Sequence, residues 1–252
     1  MAKQSGLGDR LWVSGYNLSG DIGSLGRIGG GLAGTQDVTG IDKSAFERVG
    51  LARDGSFEYV AFWNTALDRA HDRLSLLPTT DQILTYGRGA ALGSPAASLV
   101  GKQIDYNPTR GNDGSLTLAV QTLANGYGID WGRQLTAGER TDTGATNGSS
   151  VDFGTGSTLF GLQAFLHVTA FTGTDATIKL QQSSDNGAGD AWADVVGGAF
   201  TQVTAGPTSE RIQTARNQTV ERYLRVVTTT TGGFSSLTFV VAASRNDTEV
   251  LF

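Results

Sequence analysis

Apolar and polar positions alternate with a period of two along much of the chain. In SFEYVAFW (56–63), Phe57, Tyr59 and Ala61 fall on one side and Glu58, Val60 and Phe62 on the other, the pattern of a half-buried β-strand. DQILTYGRG (81–89), AASLVGKQIDY (96–106) and SLTLAVQTLA (115–124) follow, each closed by turn residues. Asp113-Gly114, ahead of the last of these, marks a hairpin. STLFGLQAFLHVTAFTG (157–173) is apolar on both faces, as a strand buried inside a sandwich must be. DATIKLQQSSDNGAGDAWADV (175–195) reads as strand, turn, strand. ERYLRVVTT (221–229) and FSSLTFVVAAS (234–244) add two strands joined through Gly232 and Gly233.

One segment breaks this rhythm. In NTALDRAHDRLSLLP (64–78), Leu67, Ala70, Leu74 and Leu77 recur at helical spacing. Asn64 or Thr65 can cap it, Asp68 suits its positive end and Pro78 stops it, which predicts a helix over 65–77. Residues 132–156 are polar, rich in Gly and Thr, and lack a long apolar run. They read as a linker or exposed loop. The expected fold class is therefore mainly β, a β-sandwich with one short flanking helix followed by a second sandwich or jelly-roll-like block. The expected division is 1–135, a linker at 136–156, and 157–252.

The segment 19–40 holds eight glycines, among them a formal G-x-G-x-x-G at Gly29, Gly31 and Gly34. A dinucleotide site requires a strand before that motif and a helix after it, and TQDVTGID starts no helix. A phosphate-cradling loop requires Gly-Lys-Ser/Thr, and this segment contains no lysine. These glycines instead permit tight turns and close backbone approach, in a segment that can order against a neighbouring subunit. Composition supports an ordered chain: 36 glycines but only 4 prolines in 252 residues, with the apolar residues patterned rather than pooled. There is no cysteine, hence no disulfide framework and no thiolate chemistry. A net charge of −5 argues against a dedicated nucleic-acid binder. With no signal-peptide pattern at MAKQSGLGDRLWVSG and no long apolar run, the expectation is a soluble chain made in the cytosol, with no membrane partner.

Catalytic chemistry finds little support. His71 sits on the expected helix as a surface residue, and His167 inside an apolar strand as a hydrogen-bonded core or interface residue. SSDNGAGDAW (183–192) offers Asp185, Asn186 and Asp190 as oxygen ligands but misses calcium-loop spacing, and reads as a turn. No nucleophile elbow surrounds any serine. The expectation is no catalytic residue, no cofactor and no metal. Apart from Lys3, Lys43, Lys102 and Lys179, the nineteen basic residues are arginine, which suits lasting interfaces.

The order and phrasing of SGDIGSLGRIGGG…QDVTGIDKSAFERVGLARDGSFEYVAFWN, HDRLSLLPTTDQILTYGRG and YNPTRGNDGSLTLAVQTLANGYGIDWGRQLTAG resemble the major tail (tail tube) proteins of long-tailed, non-contractile phages, of the actinobacteriophage type. IKLQQSSDNGAGDAWADVVGGAFT and ERYLRVVTT extend the resemblance over most of the chain. It implies a virion structural protein whose hexameric rings stack into a hollow tube through which DNA is delivered. Its implied partners are other copies of itself, a tape-measure protein, and tail terminator and baseplate or tail-tip proteins. Ring stacking in that family uses a long loop between early strands and terminal arms. The corresponding candidates here are Gly23, Arg27 and Gly30, then Lys43, Phe46, Glu47, Arg48 and Arg53, with the first residues and the tail NDTEVLF. An acidic lumen repels DNA phosphates. If DVTGID and SFEYVAF supply inner strands, Asp37, Asp42 and Glu58 are the lining candidates. The block from 157 onward is then either tube wall or external decoration. The alternative reading is a carbohydrate-binding or adhesion sandwich, and a sandwich hydrolase comes last.

Overall fold

The computed structural model describes residues 5–154 and 156–250. Met1–Gln4 of the expected N-terminal arm, Thr155 of the expected linker, and Leu251 and Phe252 of the expected C-terminal arm lie outside the described residues. In chain order the elements are β1 (Arg10–Val13), β2 (Tyr16–Asn17), β3 (Ile22–Leu32), β4 (Thr35–Asp37), β5 (Arg48–Gly50), β6 (Arg53–Phe62), α1 (Ala70–Leu74), β7 (Gln82–Gly87), β8 (Pro95–Arg110) and β9 (Leu116–Ala124). Then follow β10 (Asp130–Gln134), β11 (Arg140–Asp142), β12 (Thr146–Asn147), β13 (Val151–Asp152), β14 (Leu162–Gly173), β15 (Thr177–Ser183), β16 (Ala193–Ala199), β17 (Thr208–Gln213), β18 (Tyr223–Thr229) and β19 (Phe234–Arg245). The protein is mainly β, with one short helix, as the alternation implied.

Two compact units divide the chain, and they differ from the sequential division expected. One comprises Met1–Gly20, Ile83–Ser98 and Asp130–Phe252; the other comprises Asp21–Gln82 and Leu99–Ile129. The reason is strand pairing between distant segments: β10 pairs with β19 and with the start of β8, and β1 pairs with β7. Residues 136–156 are likewise no free linker. β11 pairs with β19, and β12 and β13 pair with β18, so this polar stretch forms strand edges.

The larger unit is a sandwich. One sheet runs β17-β14-β19-β10-β8-β7-β1-β2, and the other runs β12-β18-β15-β16 with β13 also on β18. Their facing sides bury Leu162, Leu166, Leu180, Leu224, Phe239 and Val241 among others. Because β14 is apolar on both faces, its opposite side is buried too, with Gln163, Phe165 and His167 each under 3% exposed. His167 bridges elements there. Its Nδ1 accepts the Gly15 N–H at 3.2 Å, and its Nε2 lies 2.9 Å from the Thr85 hydroxyl, itself 2.9 Å from that of Ser98. The strands expected at 221–229 and 234–244 fall in different sheets, so their link is a crossover rather than a hairpin. The Asp175 carboxylate clasps that link by accepting the N–H groups of Thr231 and Gly232.

The smaller unit is an antiparallel sheet ordered β3-β6-β9-β8, using the outer part of β8. Phe57, Tyr59, Ala61, Leu118 and Val120 are buried, together with Ala70 and Leu74 of α1. The helix is five residues long rather than the thirteen of 65–77. Asp68 and Leu77 hold positive φ angles of 63° and 45°, which no α-helix accommodates. Leu67 and Leu77 are 76% and 53% exposed, so only Ala70 and Leu74 of the apolar stripe reach the core. The segment is held by polar anchors instead. Asp21 accepts from Asn64 Nδ2 at 2.8 Å and from the Ala70 N–H at 3.1 Å, and Gln103 Nε2 donates to the Leu74 carbonyl at 2.8 Å.

Candidate functional site

The glycine stretch is a strand. None of the eleven residues in β3 is buried core, and the strand pairs with β6 down to Leu32↔Arg53. Glycine is dictated locally at Gly30, where a Cβ would lie 2.2 Å from the Asp54 carbonyl and 2.7 Å from Gly55 Cα. At Gly23 the Phe62 ring occupies the space a side chain would need. Beyond Leu32 the hairpin continues as a narrow arm. Ala33 N–H reaches the Ala52 carbonyl at 2.8 Å and Leu51 N–H the Gly34 carbonyl at 2.9 Å, and β4 then pairs with β5.

The tip of the arm is ordered by its own polar groups. Asp37 accepts both the N–H and the hydroxyl of Thr39, at 2.9 and 2.5 Å, which holds its carboxyl below the usual range. Thr39 Oγ1 in turn accepts the Glu47 N–H at 2.8 Å. Lys43 pairs with Glu47 at 3.4 Å, and the Arg48 guanidinium lies 4.9 Å from the centroid of the Phe46 ring. The structure thus brings four expected residues together in pairs. Arg53 stands at the arm's base, where its Nη2 donates to the Ile129 carbonyl at 2.9 Å. Arg27 lies exposed on β3.

Leu32, Val38, Ile41, Phe46, Val49 and Leu51 all lie exposed on this arm. Of these, the sequence reading singled out Phe46 alone. The others sit singly among Gly, Thr and Asp, where no periodicity flags them. Burying such a side chain stabilises by roughly 1.5–3 kcal/mol, so the arm carries a large unused contact energy.

The acidic candidates occupy separate elements. Asp37 lies in β4 and Asp42 in the arm's turn, whereas Glu58 lies on the open face of the β3-β6-β9-β8 sheet. There Gln121 Nε2 donates to Glu58 at 3.3 Å. A shallow hollow of about 270 Å³ on this face is lined by Ser24, Gly26, Glu58, Val60, Asp105 and Gln121. Asp105 and Gln121 were not singled out from the sequence, although the alternation that buries Leu118 and Val120 turns Ala119 and Gln121 outward.

The remaining sequence candidates are structural. His167 is fully buried, and burial pulls its pKa down to about 3. His71 is half-buried rather than a plain surface residue. It stacks on Trp63 with centroids 4.0 Å apart, and its Nδ1 lies 2.5 Å from the Tyr106 hydroxyl. Asp185 spends its carboxylate on the N–H groups of Ala188, Gly189 and Asp190, which closes a turn. Among the described residues no group of three or more His, Asp or Glu side chains converges as metal ligands, and no helix is long and apolar enough to cross a membrane.

No family model matches the chain, and no curated protein matches it. Among solved structures it is similar to the Dit protein of phage SPP1, described as a paradigm of the hub adsorption apparatus in phages infecting Gram-positive hosts. That match has 14% identity and a TM-score of 0.32 over 94% of this chain and 98% of that one. A chain of the phage p2 baseplate in its activated conformation with Sr is similar at 12% identity and a TM-score of 0.31, covering 95% and 99%. A chain of the P2 baseplate with Ca matches at 14% identity and a TM-score of 0.28, covering 95% and 99%.

Proposed function

We propose that the chain is a structural subunit of a phage tail, and within it the tail-tube subunit that assembles with copies of itself. The observation that carries this reading is the arm. Six exposed apolar side chains stand on a ribbon held in shape by its own hydrogen bonds, which is how a docking element looks before its partner arrives. The sheet at its base supports the same reading. β3 and the outer part of β8 are its lateral strands, and adjacent strands are antiparallel throughout. Pairing β3 of one copy with β8 of the next therefore continues the antiparallel order, and such head-to-tail contacts close into rings. In this reading, following the resemblance, a ring has six copies, with a tape-measure protein, a terminator and tail-tip proteins as further partners. The open face carrying Glu58 and Asp105 then lines the lumen, where carboxylates keep DNA phosphates from adhering.

Electron microscopy of the purified protein, with light scattering over a dilution series, tests this. Rings or hollow tubes are expected from the natural chain. Ile41→Asp with Phe46→Asp should keep the melting temperature and abolish stacking, because both side chains are exposed. A protein monomeric at every concentration, unchanged by the arm substitutions, would replace the tail reading with the adhesion-module one.

A further inference from the structure

The outer face of the β12-β18-β15-β16 sheet carries a polar relay. Register places Lys179, Gln181 and Arg225 on this face, with Gln181 opposite both Arg225 and Asp194. The opposite side of the same strands buries Ile178, Leu180, Leu224 and Val226 in the core. Lys179 Nζ donates to Asp194 at 2.7 Å, and Gln181 Nε2 donates to the other Asp194 oxygen at 2.8 Å. That fixes the Gln181 amide with its oxygen toward Arg225, whose Nε and Nη2 both donate to it, at 3.0 and 2.7 Å. The Arg225 guanidinium also lies 4.3 Å from the centroid of the Trp192 indole. The indole is braced against Gly187 of the turn that Asp185 closes.

Charge pairing isolates one cation here. Lys179 pairs with Asp194, and Arg222 makes a two-point bond to Asp152 at 2.8 and 2.7 Å. Arg225 has only a neutral amide and an aromatic ring, with no carboxylate partner among the described residues. Partial burial lowers its hold on the proton. A guanidinium offers two donor forks, and Gln181 takes the Nε/Nη2 side. The Nη1/Nη2 end remains for a planar anion, in an orientation fixed before binding. Amide and hydroxyl groups of Gln181, Thr177, Thr229 and Tyr223 share the face, matching the alternating donors and acceptors of sugar hydroxyls.

We propose that this face is a binding site for an acidic saccharide, with the free fork of Arg225 holding a sugar-borne carboxylate or phosphate. It stands apart from the tail assembly reading and does not depend on it. The test is an NMR titration following the Trp192 indole and Arg225 Nε signals of the full chain. The probes are tetragalacturonate, glucose 1-phosphate, methyl-esterified tetragalacturonate and tetraglutamate. Saturable shifts are expected with tetragalacturonate or glucose 1-phosphate, and which of the two binds tells carboxylate from phosphate. The neutral ester should leave the signals in place. Arg225→Gln should weaken binding by about tenfold or more, the loss of a charged hydrogen bond. Arg225→Lys keeps the charge without the fork and should weaken it as well, while Arg27→Gln on β3 should not. Absence of shifts with both anions, equal affinity for tetraglutamate, or full binding by the two Arg225 variants would each overturn the assignment.

Discussion

At the scale of single residues, His167 shows how far the pattern alone reached. An imidazole in the middle of an apolar strand has to be neutral and hydrogen-bonded, and it accepts from Gly15 and contacts Thr85. The sequence does not name those partners, because both come from distant segments. The consequence is measurable. Buried, His167 has its pKa drawn down to about 3 from the ordinary 6.5 of an imidazole. Between those values the unfolded chain takes a proton that the native state refuses. Stability is therefore fully present above about pH 6.5 and falls as the pH drops, by up to about 1.4 kcal/mol per pH unit from this one group. Urea unfolding at pH 7, 5.5 and 4 should show that loss in the natural chain. His167→Gln should be less stable at pH 7 yet lose less on acidification, while the carboxylates contribute equally to both. Parallel pH profiles for the two proteins would mean that His167 is not held neutral.

At the scale of elements, strands that alternate cleanly were legible, and those shaped by backbone contact were not. β6, β7, β8, β9, β14 and β19 lie where the alternation placed them. β3 escaped notice because glycine carries no side chain to alternate, and its pairing with β6 rests on main-chain groups. The helix was overestimated for the converse reason: Leu67 and Leu77 fit the helical spacing but are exposed. Of the assembly candidates, Lys43, Phe46, Glu47 and Arg48 do cluster at the arm, while the apolar set beside Phe46 left no periodic trace. Gly30 ties this to a test. A side chain there meets the Asp54 carbonyl and Gly55, so Gly30→Val must separate β3 from β6. Forced overpacking of this kind costs about 1–3 kcal/mol. The variant should melt lower and be cut by trypsin at Arg27, Lys43, Arg48 or Arg53 at concentrations the natural chain resists. Unchanged melting and cleavage would contradict the close approach of the two strands.

At the scale of the whole molecule, composition misplaced the boundary because a sheet is assembled without regard to chain order. Polarity and glycine made 136–156 resemble a linker, yet each of its short strands completes the edge of a longer one from the far end of the chain. The larger unit takes its strands from three separate segments, which no local window can register. This changes what truncation can reveal. A sequential division would let 1–135 fold once 157–252 is removed. Here that removal takes away β19, the partner of β10 and β11, with β14 beside it, and both walls of the core around Leu166, Leu180, Leu224 and Phe239. What is left of the larger unit is β1, β2, β7, β10 and the start of β8, with β11, β12 and β13 stripped of their partners, and the buried Leu11, Trp12 and Leu84 have then lost the rest of their sheet. Expression of 1–156 should therefore give insoluble protein, or a chain in which the amides of β1, β7 and β10 lack dispersion and take part in no cooperative melt, whatever the smaller unit retains. A soluble 1–156 in which the amides of β1, β7 and β10 are dispersed and melt cooperatively would require those strands to close a core without β14 and β19, and the two-unit division would have to be redrawn.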